Sequence, residues 1–124
     1  MLNKTVLLAD DFHDSRGFMT FLLELQGCEV LEAVNGLQAV ELATSEKPDL
    51  ILMDFHMPEM DGFEATALIR SQDETKDIPI VIISAHIDGL EWLDKAKNIG
   101  VNECLDKPID PDMLRRVIKE HIFD

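Results

Sequence analysis

Three short, almost unbroken apolar runs, each closed by a polar residue, constrain this chain most. They are Val6-Leu7-Leu8-Ala9 before Asp10-Asp11, Leu50-Ile51-Leu52-Met53 before Asp54, and Ile80-Val81-Ile82-Ile83 before Ser84. Runs of this length without polar alternation suit strands covered on both faces, as in a parallel sheet buried between helices. The segments around them have helical spacing. Phe18, Phe21, Leu22 and Leu25 fall at i, i+3, i+4 and i+7, and that stripe is expected to face the sheet. Gly36, Ala39, Val40 and Ala43 repeat the spacing behind an Asn35 cap. Gly62, Ala65, Thr66 and Ile69 do so again, as do Leu114, Val117, Ile118 and His121, while the helix around Leu90 to Ile99 is patterned more weakly.

Two less hydrophobic strand candidates, Val30-Leu31-Glu32-Ala33 and Glu103-Cys104-Leu105-Asp106, carry charges that suit sheet edges. Five strands alternating with five helices imply an α/β fold with a parallel sheet between two helical layers. Right-handed crossovers leave few topologies, and strand order 2-1-3-4-5 puts the polar pair at the edges, a flavodoxin-like doubly wound arrangement. Residues 1–124 are of single-domain size, enough for one core. Cys28 and Cys104 then sit near opposite edges, whereas bridged Cα atoms must lie within about 7 Å, so no disulfide is expected.

Eleven basic against twenty-five acidic residues give a formal charge of −14, which repels nucleic acid and anionic membrane surfaces. Partners are expected to be proteins or cations. No apolar run is long enough to cross a bilayer, and the start Met1-Leu2-Asn3-Lys4-Thr5 lacks the apolar stretch of a secretory signal. Two distant cysteines indicate neither a disulfide framework nor a zinc site, so a cytoplasmic location is expected.

In doubly wound sheets, ligands bind beyond the carboxyl ends of the strands. Strand one ends in Asp10-Asp11, strand three in Asp54, strand four in Ser84 and strand five in Lys107-Pro108, so all should meet on one rim. Each alone reads as a turn former or helix cap. Together they are three acids, a hydroxyl and a lysine at matching ends of different strands. Crowded carboxylates raise one another's pKa unless a cation neutralises them, and an all-oxygen cluster suits a hard ion such as Mg²⁺.

These residues, with the stretch Pro48 to Asp54 running into Met57-Pro58-Glu59-Met60-Asp61-Gly62, then Ser84-Ala85 and Lys107-Pro108, resemble the receiver domains of two-component response regulators. The likeness covers essentially the whole chain, in the order of that family's motifs, and is closest in kind to stand-alone, chemotaxis-regulator-like members. It implies that Asp54 is the nucleophile that takes a phosphoryl group from a phosphohistidine on a sensor histidine kinase or histidine phosphotransfer protein. It implies direct Mg²⁺ ligation by Asp11, Asp54 and the backbone carbonyl of His56, with Asp10 acting through water. Lys107 balances charge, and Ser84 is the switch hydroxyl. The domain would be a signalling element with self-catalysed phosphorylation and dephosphorylation, not an enzyme. Its downstream protein target would meet the fourth helix, fifth strand and fifth helix, as a monomer or a phosphorylation-dependent homodimer.

The resemblance departs at Cys104, where many members carry an aromatic switch residue; the cysteine is read as a small core residue. His56 and His86, two positions after Asp54 and Ser84, stand by resemblance beside the path of the hydrolytic water, with solvated loop histidines as the alternative. Trp92 is either a partner anchor or helix packing. Three other classes compete. A flavin carrier needs a Ser/Thr/Gly-rich first loop where Asp10-Asp11 stands, and an aspartate-nucleophile phosphatase resembles its relatives in placing two acids two positions apart after strand one. A phosphorylation-independent interaction module would have no need of all five rim residues.

Overall fold

The computed structural model describes residues 4–122. Strands β1 (Thr5–Ala9), β2 (Glu29–Ala33), β3 (Leu50–Asp54), β4 (Ile80–Ser84) and β5 (Glu103–Asp106) alternate with helices α1 (His13–Leu25), α2 (Gly36–Glu46), α3 (Gly62–Arg70), α4 (Gly89–Ile99) and α5 (Pro111–His121). The strands form one parallel sheet in the order β2-β1-β3-β4-β5, so the charged strands occupy the edges and the three apolar runs the centre.

Every residue of β3 and β4 is buried. Alternate side chains feed two cores. One lies under α2, α3 and α4 and includes Leu7, Ile51, Met53, Ile80 and Ile82; the other lies under α1 and α5 and includes Val6, Leu8, Leu50, Leu52, Val81 and Ile83. Each such side chain contributes roughly 1.5–3 kcal/mol on burial, which is why these tetrads dominate the choice of fold.

Local signals set the helix starts. Asn35 accepts a hydrogen bond from the Gln38 N–H, Asp61 and Glu64 form a reciprocal capping box, and Asp110 accepts from Met113 N–H ahead of Pro111. Gly62 is required by contact: a Cβ there would lie 3.0 Å from the Asp54 carbonyl oxygen and 3.0 Å from Ile82 Cδ1. The glycine thus lets α3 start directly against the end of β3.

Helix α1 corrects one expectation. Phe18, Phe21 and Leu25 are 55 %, 56 % and 67 % exposed, and the helix instead buries Met19, Leu22 and Leu23. Both stripes have helical spacing and share Leu22. The polar first turn decides between them: Ser15 Oγ–H donates to Asp10 Oδ2 at 2.6 Å, and Arg16 donates to the Asp10 carbonyl and to Glu32. Ser15, Met19 and Leu22 follow i, i+4, i+7, so fixing Ser15 against β1 turns Met19 and Leu22 to the sheet. The phenylalanines are left facing outward.

Candidate functional site

Register brings the strand ends level. Ala9 pairs with Met53, Asp54 with Ile83 and Ser84 with Asp106, so Asp10, Asp54, Ser84 and Lys107 emerge along one rim. The loops are tied to it by backbone bonds from Asp10 N–H to Ala33, Phe55 N–H to Ile83 and Lys107 N–H to Ser84. The Lys107–Pro108 peptide is cis.

Asp10 is buried and accepts from Phe12 N–H at 2.9 Å as well as from Ser15. Asp11 is exposed. One carboxylate oxygen each from Asp10, Asp11 and Asp54 lies within 4.8 Å of the others. Lys107 Nζ donates to Asp54 Oδ2 at 3.2 Å. Burial pushes the Asp54 carboxyl above its usual range, Lys107 pulls it back through charge and hydrogen bond, and Asp10 and Asp11 push it up further. Ser84 is fully buried, and its Oγ accepts from His86 N–H at 3.1 Å.

The side chains of His56 and His86 are exposed, their ring centroids 6.2 Å apart. Among the described residues no hydrogen bond ends on the His56 carbonyl oxygen. Trp92 is half-buried against Phe55 and Phe63, with centroids 5.3 and 4.8 Å away, so it packs α4 onto the segment just after Asp54. Cys104 is half-buried and packs on the core under α3 and α4. Both cysteines are free.

Two features were not anticipated. A cavity of about 380 Å³ lies between α1 and the Lys107-Pro108-Ile109 segment, with Asp54 and Lys107 at its polar end and Phe18, Met19 and Ile83 among its walls. Ser15 and Arg16, which hold Asp10 in place, also escaped notice. Their only trace in the sequence is a hydroxyl and a cation one helical turn beyond an acidic pair. A second acidic group, Glu103, Glu120 and His121, has Arg116 bonded between both glutamates and is an ion-pair network.

Comparison with known proteins agrees with this geometry. The family model for the response regulator receiver domain matches residues 6–119. Sporulation initiation phosphotransferase F of Bacillus subtilis is 32 % identical over 122 residues, covering 98 % of this chain and 96 % of that protein. Protein PilH of Pseudomonas aeruginosa is 36 % identical over 115 residues, covering 91 % and 93 %. Among solved structures, the chemotaxis protein CheY4 of Vibrio cholerae superposes with a TM-score of 0.91 at 29 % identity, covering 98 % of this chain and all (100 %) of the other. The receiver domain of a Pseudomonas aeruginosa sensor histidine kinase, solved with magnesium coordinated in its active-site cleft, superposes with a TM-score of 0.89 at 28 % identity, covering 99 % and 100 %. An acidic rim at the carboxyl end of a 2-1-3-4-5 sheet, a lysine on its buried aspartate and a family match over residues 6–119 lead to one assignment: the chain belongs to the response regulator receiver domains of two-component signalling.

Proposed function

We propose that residues 1–124 act as one phosphoacceptor domain in which Asp54 takes a phosphoryl group from a histidine kinase or histidine phosphotransfer protein. The observation that carries this is Asp54 itself, buried, paired with Lys107 at 3.2 Å and flanked by two more carboxylates. An ionised Asp54 needs no base. One of its oxygens attacks phosphorus, the P–N bond breaks, and the electron pair leaves with the donor imidazole. Lys107 offsets charge on the transferred oxygens, and alignment plus neutralisation is most of what phosphoryl transfer requires.

The donor set supports Mg²⁺: all ligand atoms are oxygens, three carboxylates converge, and no sulfur or imidazole intrudes among them. Asp11, Asp54 and the His56 carbonyl would hold the ion directly and Asp10 through water. When bound, Mg²⁺ neutralises charge on both the attacking and the transferred oxygens. The proteins that donate must reach this rim, and the exposed Phe18 on the cavity wall beside it begins an apolar strip that runs along α1 through Phe21 to Leu25.

Ser84 reads out the product. Its oxygen now accepts from His86 N–H, and a phosphoryl oxygen gives the Ser84 O–H a new acceptor, so the loop between β4 and α4 follows the hydroxyl. That differential contact biases the α4-β5-α5 face toward a downstream protein, in a monomer or a phosphorylation-dependent homodimer. Cys104 stands on that face in place of an aromatic switch. His56 and His86 tune hydrolysis of the phosphoaspartate. The free cysteines favour a cytoplasmic setting, and no described helix is long and apolar enough to cross a membrane.

The test is intact mass after incubation with a small phosphodonor, with and without Mg²⁺, on the parent and on Asp54→Asn. One added phosphoryl group that needs both is expected. Unmodified mass in every sample would leave only a phosphorylation-independent interaction module. In the same assay, His56→Ala and His86→Ala should keep uptake and change the lifetime of the phosphate.

A further inference from the structure

The loop between β3 and α3 carries the His56 carbonyl, and its middle is held by very little. Its ends are tied: Phe55 N–H donates to the Ile83 carbonyl, Gly62 N–H donates back to Phe55, and Asp61 and Glu64 close the capping box of α3. Between these ties the backbone of residues 56–60 makes a single hydrogen bond among the described residues, from Met60 N–H to the Pro58 carbonyl at 2.7 Å. That bond closes a three-residue turn on Glu59, whose φ of 69° lies in the left-handed region. With φ fixed at Pro58 and Glu59 already in an uncommon conformation, the turn has few soft torsions left.

What the turn rests on is α2. Gly36, the first residue of that helix, is buried, and a Cβ there would lie 2.7 Å from the Met60 carbonyl oxygen and 3.0 Å from Met60 Cβ and Cγ. Its φ is not left-handed, so the missing side chain matters for space alone. A Cβ cannot approach a backbone oxygen that closely, and either the helix or the loop would have to move. The helix is the firmer of the two. Asn35 caps it through Gln38 N–H, Gln38 Oε1 accepts from Val34 N–H in return, and Ala39 and Ala43 are fully buried behind Gly36. The loop gives way, and its stiff turn passes the displacement on toward His56.

We propose that Gly36 is a positioning residue for the metal site: by letting Met60 close onto α2, it sets the β3–α3 loop so that the His56 carbonyl meets the ion held by Asp11 and Asp54. This rests on that carbonyl being a Mg²⁺ ligand, and it extends the site to a helix that supplies none of the three converging carboxylates. Mg²⁺ demands near-ideal octahedral geometry, so a carbonyl displaced by a few tenths of an ångström is a poor ligand for it.

Calorimetric titration with Mg²⁺ at fixed ionic strength tests it, with melting in a chelator as the separate measure of folding. Gly36→Ala should weaken Mg²⁺ binding about tenfold. Gly17→Ala, on α1 where a Cβ meets nothing within 4 Å, should change it by less than about twofold. In a Glu59→Gly background the turn can absorb the displacement, so the same Gly36→Ala change should weaken binding there by less than about threefold. Met60→Ala, which removes the side chain resting beside Gly36 without crowding anything, should weaken it about threefold and covers the case in which Gly36→Ala fails to fold. Phosphoryl uptake by Gly36→Ala, read by mass, should fall at low Mg²⁺ and return to the parent rate at saturating Mg²⁺.

Parent-like Mg²⁺ affinity in folded Gly36→Ala, or in Met60→Ala should the first variant not fold, would overturn the proposal, because crowding alone lowers Tm without touching the metal. So would an equal loss with and without Glu59→Gly, or uptake that stays slow at saturating Mg²⁺. The two claims fail separately. A parent that binds Mg²⁺ and takes up phosphate, with variants that bind equally well, defeats the role of Gly36 alone. A parent that binds Mg²⁺ and takes up no phosphoryl group defeats the phosphoacceptor reading alone.

Discussion

Replacing Asp54 by Asn should make the metal-free protein more stable. Asp54 is 8 % exposed, with oxygens of Asp10 and Asp11 within 4.8 Å and a single cation, Lys107, at 3.2 Å. At an effective dielectric near 20, each like-charge pair at 4.8 Å repels by roughly 3–4 kcal/mol, and the lysine attracts by roughly 5 kcal/mol at 3.2 Å. The charge and hydrogen bond of Lys107 together offset the two repulsions, so burial, the largest influence on Asp54, decides the sign against its ionised form. Solvent around the exposed Asp11 and the partly exposed Lys107 screens both kinds of pair, leaving a gain of about 1–2 kcal/mol for the neutral isostere. That corresponds to a rise in Tm of about 3–8 °C, measured by circular dichroism in a chelator near neutral pH.

The sign of the pH dependence follows from the direction of the shift. A folded-state pKa above the unfolded one means that the folded chain holds the proton more tightly. Ionised Asp54 therefore costs stability fully above its folded pKa and not at all below its unfolded pKa of about 3.9. The advantage of Asp54→Asn should shrink as pH falls through that window. Adding Mg²⁺ at about 100 times its Kd should stabilise the parent by about 2.7 kcal/mol and the variant by less, reversing their order. If Asp54→Asn melts below the parent in chelator at neutral pH, the attraction of Lys107 outweighs burial and repulsion, and the electrostatic account of this site is wrong.

Two further outcomes are expected. Trp92→Ala should cost about 2 kcal/mol, roughly half the price of a fully buried tryptophan, because the ring is half-buried on Phe55 and Phe63; Leu90→Ala should cost less than about 0.5 kcal/mol, and equal losses in urea melts followed by circular dichroism would refute the packing argument. Cys104, with its thiol pushed up to about 11, should be alkylated slowly near neutral pH and faster only as the pH approaches that value, whereas rapid modification near neutral pH would show that the thiol is not shielded.

What could be read from the sequence was what depends on local pattern. The apolar tetrads gave the central strands, Glu32 and Glu103 marked the edge strands, and Asn35 marked a helix start that the structure realises as a cap. The rim was legible for the same reason, since the residue after each strand is fixed by the strand's own end. Contacts between elements were not legible. The phase of α1 depends on Ser15 meeting Asp10 just beyond β1, and hydrophobic spacing alone favours the phenylalanine stripe as readily as Met19, Leu22 and Leu23. The cavity beside Lys107 is a gap between elements distant in sequence, α1 and the segment after β5, and no local pattern encodes a gap.

The helices are anchored very unequally, and on the proposed function this would decide which of them a phosphoryl group on Asp54 moves. Helix α3 buries Gly62, Phe63, Ala65, Thr66 and Ile69, and α5 buries Leu114, Val117 and Ile118. Helix α4 buries only Ala96, with Trp92 half in, while Leu90 and Leu93 face solvent. A ligand shifts an equilibrium only by its differential interaction with the two states, and one new hydrogen bond to a charged group contributes about 1.5–3 kcal/mol. That is small against the several buried side chains of α3 or α5 and comparable to the hold on α4. The main hold is an aromatic joint whose other half, Phe55, is bonded directly to Asp54, and the loop entering α4 hangs on Ser84 through His86. Both links from the acceptor rim therefore end on the least anchored helix, so α4 is where a charge placed on Asp54 has the most leverage.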